Sequence, residues 1–286
     1  MRRNGEQPDP AIPDGITISD LDKSVRSELS SLTKELAADV GAHLAAVAAF
    51  IDEDPDRAWR HAIAARRRAA RLGIVRETAG LAAYRAGRYS DALSELRTAR
   101  RLTGSEEHLP VMADSERGLG RPERALELAR SAEVKRLDAA GRIEMLIVES
   151  GARADLGQDD AAVVTLQVKE LDSAARTPAV ARLRHAYAAA LANVGRVTEA
   201  ESWFAKAKFA DRDGTALADA VNPADLASSD GDPVDYWDYD DEITDLLDDE
   251  EQDAAADPEG EAADQELDDV ETDMETDVAA EESTDR

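Results

Sequence analysis

The sequence predicts an all-α fold. We expect a solenoid of about five helix–turn–helix units behind an N-terminal capping helix, followed by a disordered acidic tail. Three observations predict it. First, a glycine, four mostly polar residues and an alanine recur as GRYSDAL (87–93), GRPERAL (120–126), GQDDAAV (157–163) and GRVTEAE (195–201). The four glycines stand 33, 37 and 38 residues apart, a period of stacked supersecondary units. Second, apolar residues repeat at helical spacing, and no stretch of 1–210 alternates long enough to argue for a strand. Third, the charge is split. Residues 211–286 carry 31 Asp and Glu against 2 Arg, which accounts for the whole net charge of −29. The first 210 residues are formally neutral, so an acidic tail follows a folded body.

The elements follow in order. Residues 1–18 are read as a disordered N-terminus. They hold two arginines with no apolar stretch behind them, so they do not read as a secretory signal. Leu21, Val25, Leu29, Leu32 and Leu36 step by 4, 4, 3 and 4, one face of a helix, with Ser19 as its cap. This predicts a capping helix over 19–38, which solenoids need because an end unit would otherwise expose an apolar face. The repeat domain is expected over 39–210. Its first copy turns at EDPDRAW (53–59), where Glu53 replaces the glycine and Pro55 starts the second helix. In the later copies the glycine permits a left-handed turn that stops one helix. Ser90 and Thr198 are expected N-caps, and Pro122 suits a first helical turn. Ala58, Ala92, Ala125, Ala162 and Ala200 are small where two helices meet. Insertions near 138–142 and 172–178 stretch the period.

Past Asp211 the pattern stops. From 248 onward the chain is Asp, Glu, Ala and Thr with almost no large apolar residue. It cannot bury enough surface to offset an ordering cost of about 1–2 kcal/mol per residue. One island interrupts it, a candidate short helical motif over 236–248. Tyr236 and Trp237 precede Tyr239, Ile243, Leu246 and Leu247, the last four sharing one helical face. Such a patch is either a docking motif or a coincidence within a solubilising tail.

The best copy is ETAGLAAYRAGRYSDALSELRTARRL, 77–102. It resembles the tetratricopeptide repeat family. Gly80 falls at the family's first-helix small position, Gly87 at its turn glycine and Tyr89 at its aromatic. Ala92 and Ala99 take its small packing positions, and Leu96 a usual aromatic site. Copies at 106–137, 143–171 and 181–210 keep the turn and one or two small positions, and Lys169 breaks the last one in the fourth copy. In this family first helices line a concave surface that holds peptides. The resemblance therefore implies partner contacts by Glu77, Tyr84 and Arg85, by Asp114 and Arg117, and by His185 and Asn193.

The strongest charged feature of the body is RAWRHAIAARRRAAR (57–71). Arg57, Arg60, Arg67, Arg68 and Arg71 fit within an arc of about 100° on a helix, with Arg66 on the other side. They form either an anion-binding stripe or a solvated outer face. As a stripe they would bind nucleic acid, an acidic partner or the protein's own tail. Only Trp59 interleaves with them, which weakens the nucleic-acid version. No P-loop, GxGxxG, GxSxG or HExxH pattern is present, and there is no cysteine. We expect no catalysis, no cofactor and no metal. The expectation is a cytoplasmic scaffold that binds a protein partner. The alternative is a nucleic-acid-associated regulator whose stripe is masked by the tail. No membrane partner is expected, since the longest apolar run, 44–51, is far short of the roughly 20 residues that span a bilayer.

Overall fold

The computed structural model describes residues 8–217. Residues 1–7 and the tail beyond Leu217, with the Tyr236–Leu247 patch, lie outside the described residues. Among the described residues every regular element is helical, and no helix is long and apolar enough to cross a membrane.

The N-terminal region differs from the expected single helix over 19–38. A 3-10 turn at Ile18–Asp20 leads into α1 (Lys23–Glu28), then a second 3-10 turn at Leu29–Ser31, then α2 (Lys34–Phe50). The cause is local. Ser30 and Ser31 donate their hydroxyls to the carbonyls of Ser27 and Glu28, which competes with helix continuation. Thr33 then restarts the helix by accepting the Leu36 N–H. Thr17, rather than Ser19, caps the first turn, accepting from Ser19 while Asp20 accepts the Thr17 N–H at 2.7 Å. The expected apolar face still packs. Ile18, Leu21, Val25, Leu32 and Leu36 surround a core of Leu29, Val40, Leu44, Ala65 and Val75. Among the described residues of the N-terminal arm, Asp9 is tied to Arg67 and Arg68.

Five helix pairs follow: α2 with α3 (Pro55–Ala69), α4 (Gly73–Arg85) with α5 (Tyr89–Thr103), α6 (Leu109–Gly118) with α7 (Pro122–Ala129), α8 (Ala139–Asp155) with α9 (Asp159–Thr165), and α10 (Pro178–Asn193) with α11 (Val197–Ala210). Partners within a pair touch, each second helix touches the next first helix, and first helices touch one another along the series α2, α4, α6, α8, α10.

Four of the turns are the same object. Gly87, Gly120, Gly157 and Gly195 all have φ between 66° and 77°. The next residue, Arg88, Arg121, Gln158 or Arg196, donates back to Ala83, Glu116, Arg153 or Leu191 at 2.8–2.9 Å. Each glycine donates to Tyr84, Arg117, Ala154 or Ala192 at 2.8–3.0 Å. This is the paired closure of a Schellman motif. It makes the residue after glycine the N-cap of the next helix, so Ser90 and Thr198 lie inside their helices, not at the caps. The first turn lacks the glycine and closes otherwise: Asp54 accepts from Arg57 at 3.0 Å, and Pro55 opens α3.

The five motif alanines, Ala58, Ala92, Ala125, Ala162 and Ala200, are all buried. Gly80 is small for the same reason: a Cβ there would sit 2.5 Å from the Leu96 side chain. The stretched copies have short second helices, α7 and α9, followed by 3-10 turns at Ala132–Arg136 and Lys169–Asp172. Asp138 and Thr177 then cap α8 and α10.

The packed body does not end at Ala210. The Asp211 carboxylate accepts the N–H groups of Ala216 and Leu217, each at 3.1 Å. This hook lays Ala216 and Leu217 over Val180, Ala181 and Ala210.

Candidate functional site

Side chains of the first helices reach from one pair to the next. Tyr84 donates to Asp114 at 2.5 Å, from α4 to α6. Arg117 of α6 donates to Asp114 at 2.7 Å and, through Nε and a terminal nitrogen, to both oxygens of Asp155 at the end of α8. Gly151 makes room, since a Cβ there would lie 2.5 Å from the Arg117 guanidinium. Arg182 of α10 reaches Glu144 of α8 at 2.8–2.9 Å. Arg85 reaches back to Asp52 in the first turn.

Electrostatics locks this network. Burial, then Asp114, raises the Tyr84 phenol well above the ordinary tyrosine value. Burial works against the Arg117 charge, but Asp155 and Asp114 outweigh it and hold the guanidinium more firmly protonated.

The expected inner-face residues therefore fall into separate groups. Tyr84, Asp114 and Arg117 form one cluster, and Asp114 and Arg117 line a cavity of about 400 Å³ with Tyr89 and Asp155. Arg85 and His185 line a larger cavity of about 700 Å³, together with Asp52, Ile147, Arg182 and Leu217. The hook forms one wall of it. A further cavity of about 660 Å³ shares His185, Gly214 and Leu217 with it and is lined also by Phe204, Lys208, Asp211, Arg212 and Asp213. His185 is half-buried, its ring edge-on to Phe204, and burial lowers its pKa. Glu77 stands 3.9 Å from His108, and Asn193 is exposed at the end of α10; neither joins the large cavity.

Asp52, Glu144, Asp155 and Arg182 were not singled out from the sequence. A signal for them existed. Arg85 and Asp52 are 33 residues apart, and Arg117–Asp155 and Arg182–Glu144 are each 38 apart. Opposite charges one repeat period apart meet between successive pairs, on adjacent first helices for Arg117–Asp155 and Arg182–Glu144 and from α4 to the first turn for Arg85–Asp52.

The arginine stripe is not a bare cationic face. Arg67 donates to Asp9 at 3.0 Å. Arg68 pairs with Asp9 at 2.8 Å and with Asp39. Arg57 lies 3.8 Å over the Phe50 ring, and Arg60 and Arg71 are exposed. Arg66, off the stripe, reaches the buried Glu95, which Arg76 also holds at 2.7 Å. Glu116 and Glu106 repeat the device with Arg97 at 2.8 Å and with Arg100 and Arg136. Buried carboxylates thus gather arginines from neighbouring helices, consistent with the neutral charge of the body.

The chain matches no protein-family model and no curated protein.

Proposed function

We propose that the chain is a non-catalytic scaffold, a solenoid of tetratricopeptide type that holds a segment of a partner protein along the inner face of its first helices. The observation that carries this reading is the 700 Å³ cavity. Its lining comes from the first turn (Asp52), the second pair (Arg85), the fourth (Ile147) and the fifth (Arg182 and His185), so a ligand there engages most of the stack at once. The cavity mixes an apolar floor of Ile147, Ala186 and Leu217 with the two guanidinium groups. Asp52 and Glu144 already pair with these two arginines, so that chemistry suits an extended segment with an aliphatic anchor and backbone carbonyls, and not one led by a bare carboxylate. The nucleic-acid reading has less support, because Arg67 and Arg68 face carboxylates of this same chain.

The test is selection of a peptide on the full-length protein from a displayed library, followed by affinity measurements on variants. Arg182→Ala and His185→Ala should each weaken the selected peptide at least tenfold, about 1.4 kcal/mol. Arg101→Ala, on an exposed part of α5, should not. Equal effects at Arg101 and Arg182, or binding lost in proportion to counterion release alone, would sink the reading.

A further inference from the structure

His43 of α2 and His61 of α3 are buried against each other, 2 % and 0 % exposed. Their Nδ1 atoms lie 3.0 Å apart. Two bare lone pairs at this distance repel and two N–H groups collide, so the contact holds one proton, and burial favours the neutral form of each ring. His61 Nε2 is buried without a hydrogen-bond partner. An orphaned buried N–H is the rarer defect, so the arrangement favours His61 with its proton on Nδ1, donating to His43. Phe50 stacks on the His61 ring.

The charged surroundings are unequal. Arg57 and Arg60 of α3 act on His61. His43 senses Arg68 of α3 against Asp39 of α2 and Asp9 of the N-terminal arm. On α4, which packs on both helices, Arg76 is turned to Glu95 and Arg85 to Asp52, and what α4 brings to the neighbouring core is Ala79 and Ala82. A charge on this pair therefore has no buried carboxylate to meet it. The Arg68 salt bridges that pin the arm through Asp9 stand beside it.

We propose that the His43–His61 pair is an acid-sensitive latch, and that proton uptake by the pair loosens α2 from α3 and releases the arm held by Asp9. The direction follows from linkage. Burial, then His43 and the two arginines, lowers His61 from its ordinary 6.5 to about 4, and burial and Arg68 lower His43. Stability from this pair is fully present above about pH 6.5 and is lost as pH falls toward about 4. The latch is independent of what the inner face binds.

The experiment uses the full chain between pH 7.5 and 4.8, above the ordinary carboxylate range. Hydrogen-exchange protection of α2 and of residues 8–17 is measured relative to α8, which carries no histidine. It should fall at least tenfold relative to α8, roughly 40-fold being the limit for one histidine with these values. In the His43→Leu/His61→Phe double variant the same comparison should be flat. Imidazole nitrogen NMR of the wild type keeps the test open if that variant does not fold. His61 should remain neutral at pH 5.5, protonated at Nδ1. Protection unchanged down to pH 4.8, or a pair that is charged at pH 6 with α2 and the arm still protected, overturns the latch.

Discussion

Gly87 and Gly120 each adopt φ near +70°, and a Cβ added at Gly87 would meet nothing within 4 Å. The cost of a side chain there is therefore one of backbone conformation alone. Gly87→Ala should lower stability by about 1–2 kcal/mol in urea denaturation, with Ser94→Ala as a near-neutral control. A neutral Gly87→Ala would mean the turn relaxes out of its left-handed form. Tyr84 supplies a second prediction. Its phenol donates to Asp114 and is held well above the ordinary value of 10. A raised folded value means that stability is intact below pH 10 and is lost as pH rises beyond it. Tyr84→Phe should cost about 1–2 kcal/mol at pH 7, because Asp114 keeps Arg117 but loses the hydroxyl. Between pH 9.5 and 11.5 the wild type should lose more stability than Tyr84→Phe, and parallel pH profiles would contradict the role given to this phenol.

At the scale of the element, each second helix is anchored by one alanine pressed against its partner. Ala92 is fully buried on α5, while Ser94, two residues on, is exposed. Ala92→Leu should overpack the contact and cost about 1–3 kcal/mol, and Ser94→Leu should be near neutral. Equal responses would place the helix in a different rotation. These positions were legible in the sequence because a helix turn and a small contact residue are local features that recur with the unit. The N-caps are Arg88 and Arg196, not the expected Ser90 and Thr198, because the glycine turn starts each helix two residues earlier, a constraint of the Schellman closure and not of side-chain preference. The capping helix was misread because its leucine spacing is helical throughout, whereas the serine hydroxyls at 30 and 31 and the Thr33 cap divide it.

Across the whole molecule, pairs are joined by ion pairs one period apart and closed at the C-terminal end by the hook. Comparing chains cut after Leu217 and after Ala210 tests the hook. The shorter chain uncovers Val180 and Ala181 and loses the Asp211 carboxylate with its two hydrogen bonds. Loss of about 1–2 kcal/mol of apolar burial should lower its thermal midpoint by roughly 3–6 °C relative to the longer one. Identical midpoints would make the hook a passive extension.

Pair count, turn positions and the small contact residues were readable from the chain alone, because each depends on backbone geometry and volume within a unit that repeats. The division of the inner face was not. Arg85 and Arg182 at one cavity, Tyr89 and Arg117 at another, and His43 against His61 are meetings of side chains 18 to almost 100 residues apart. Such meetings depend on the rotation and offset of successive pairs, quantities that helical periodicity leaves free and packing decides. The arginine stripe shows the same physics from the other side. Its angular spacing is a property of one helix, but its charge is met by Asp9 and Asp39, which only the folded chain brings to it.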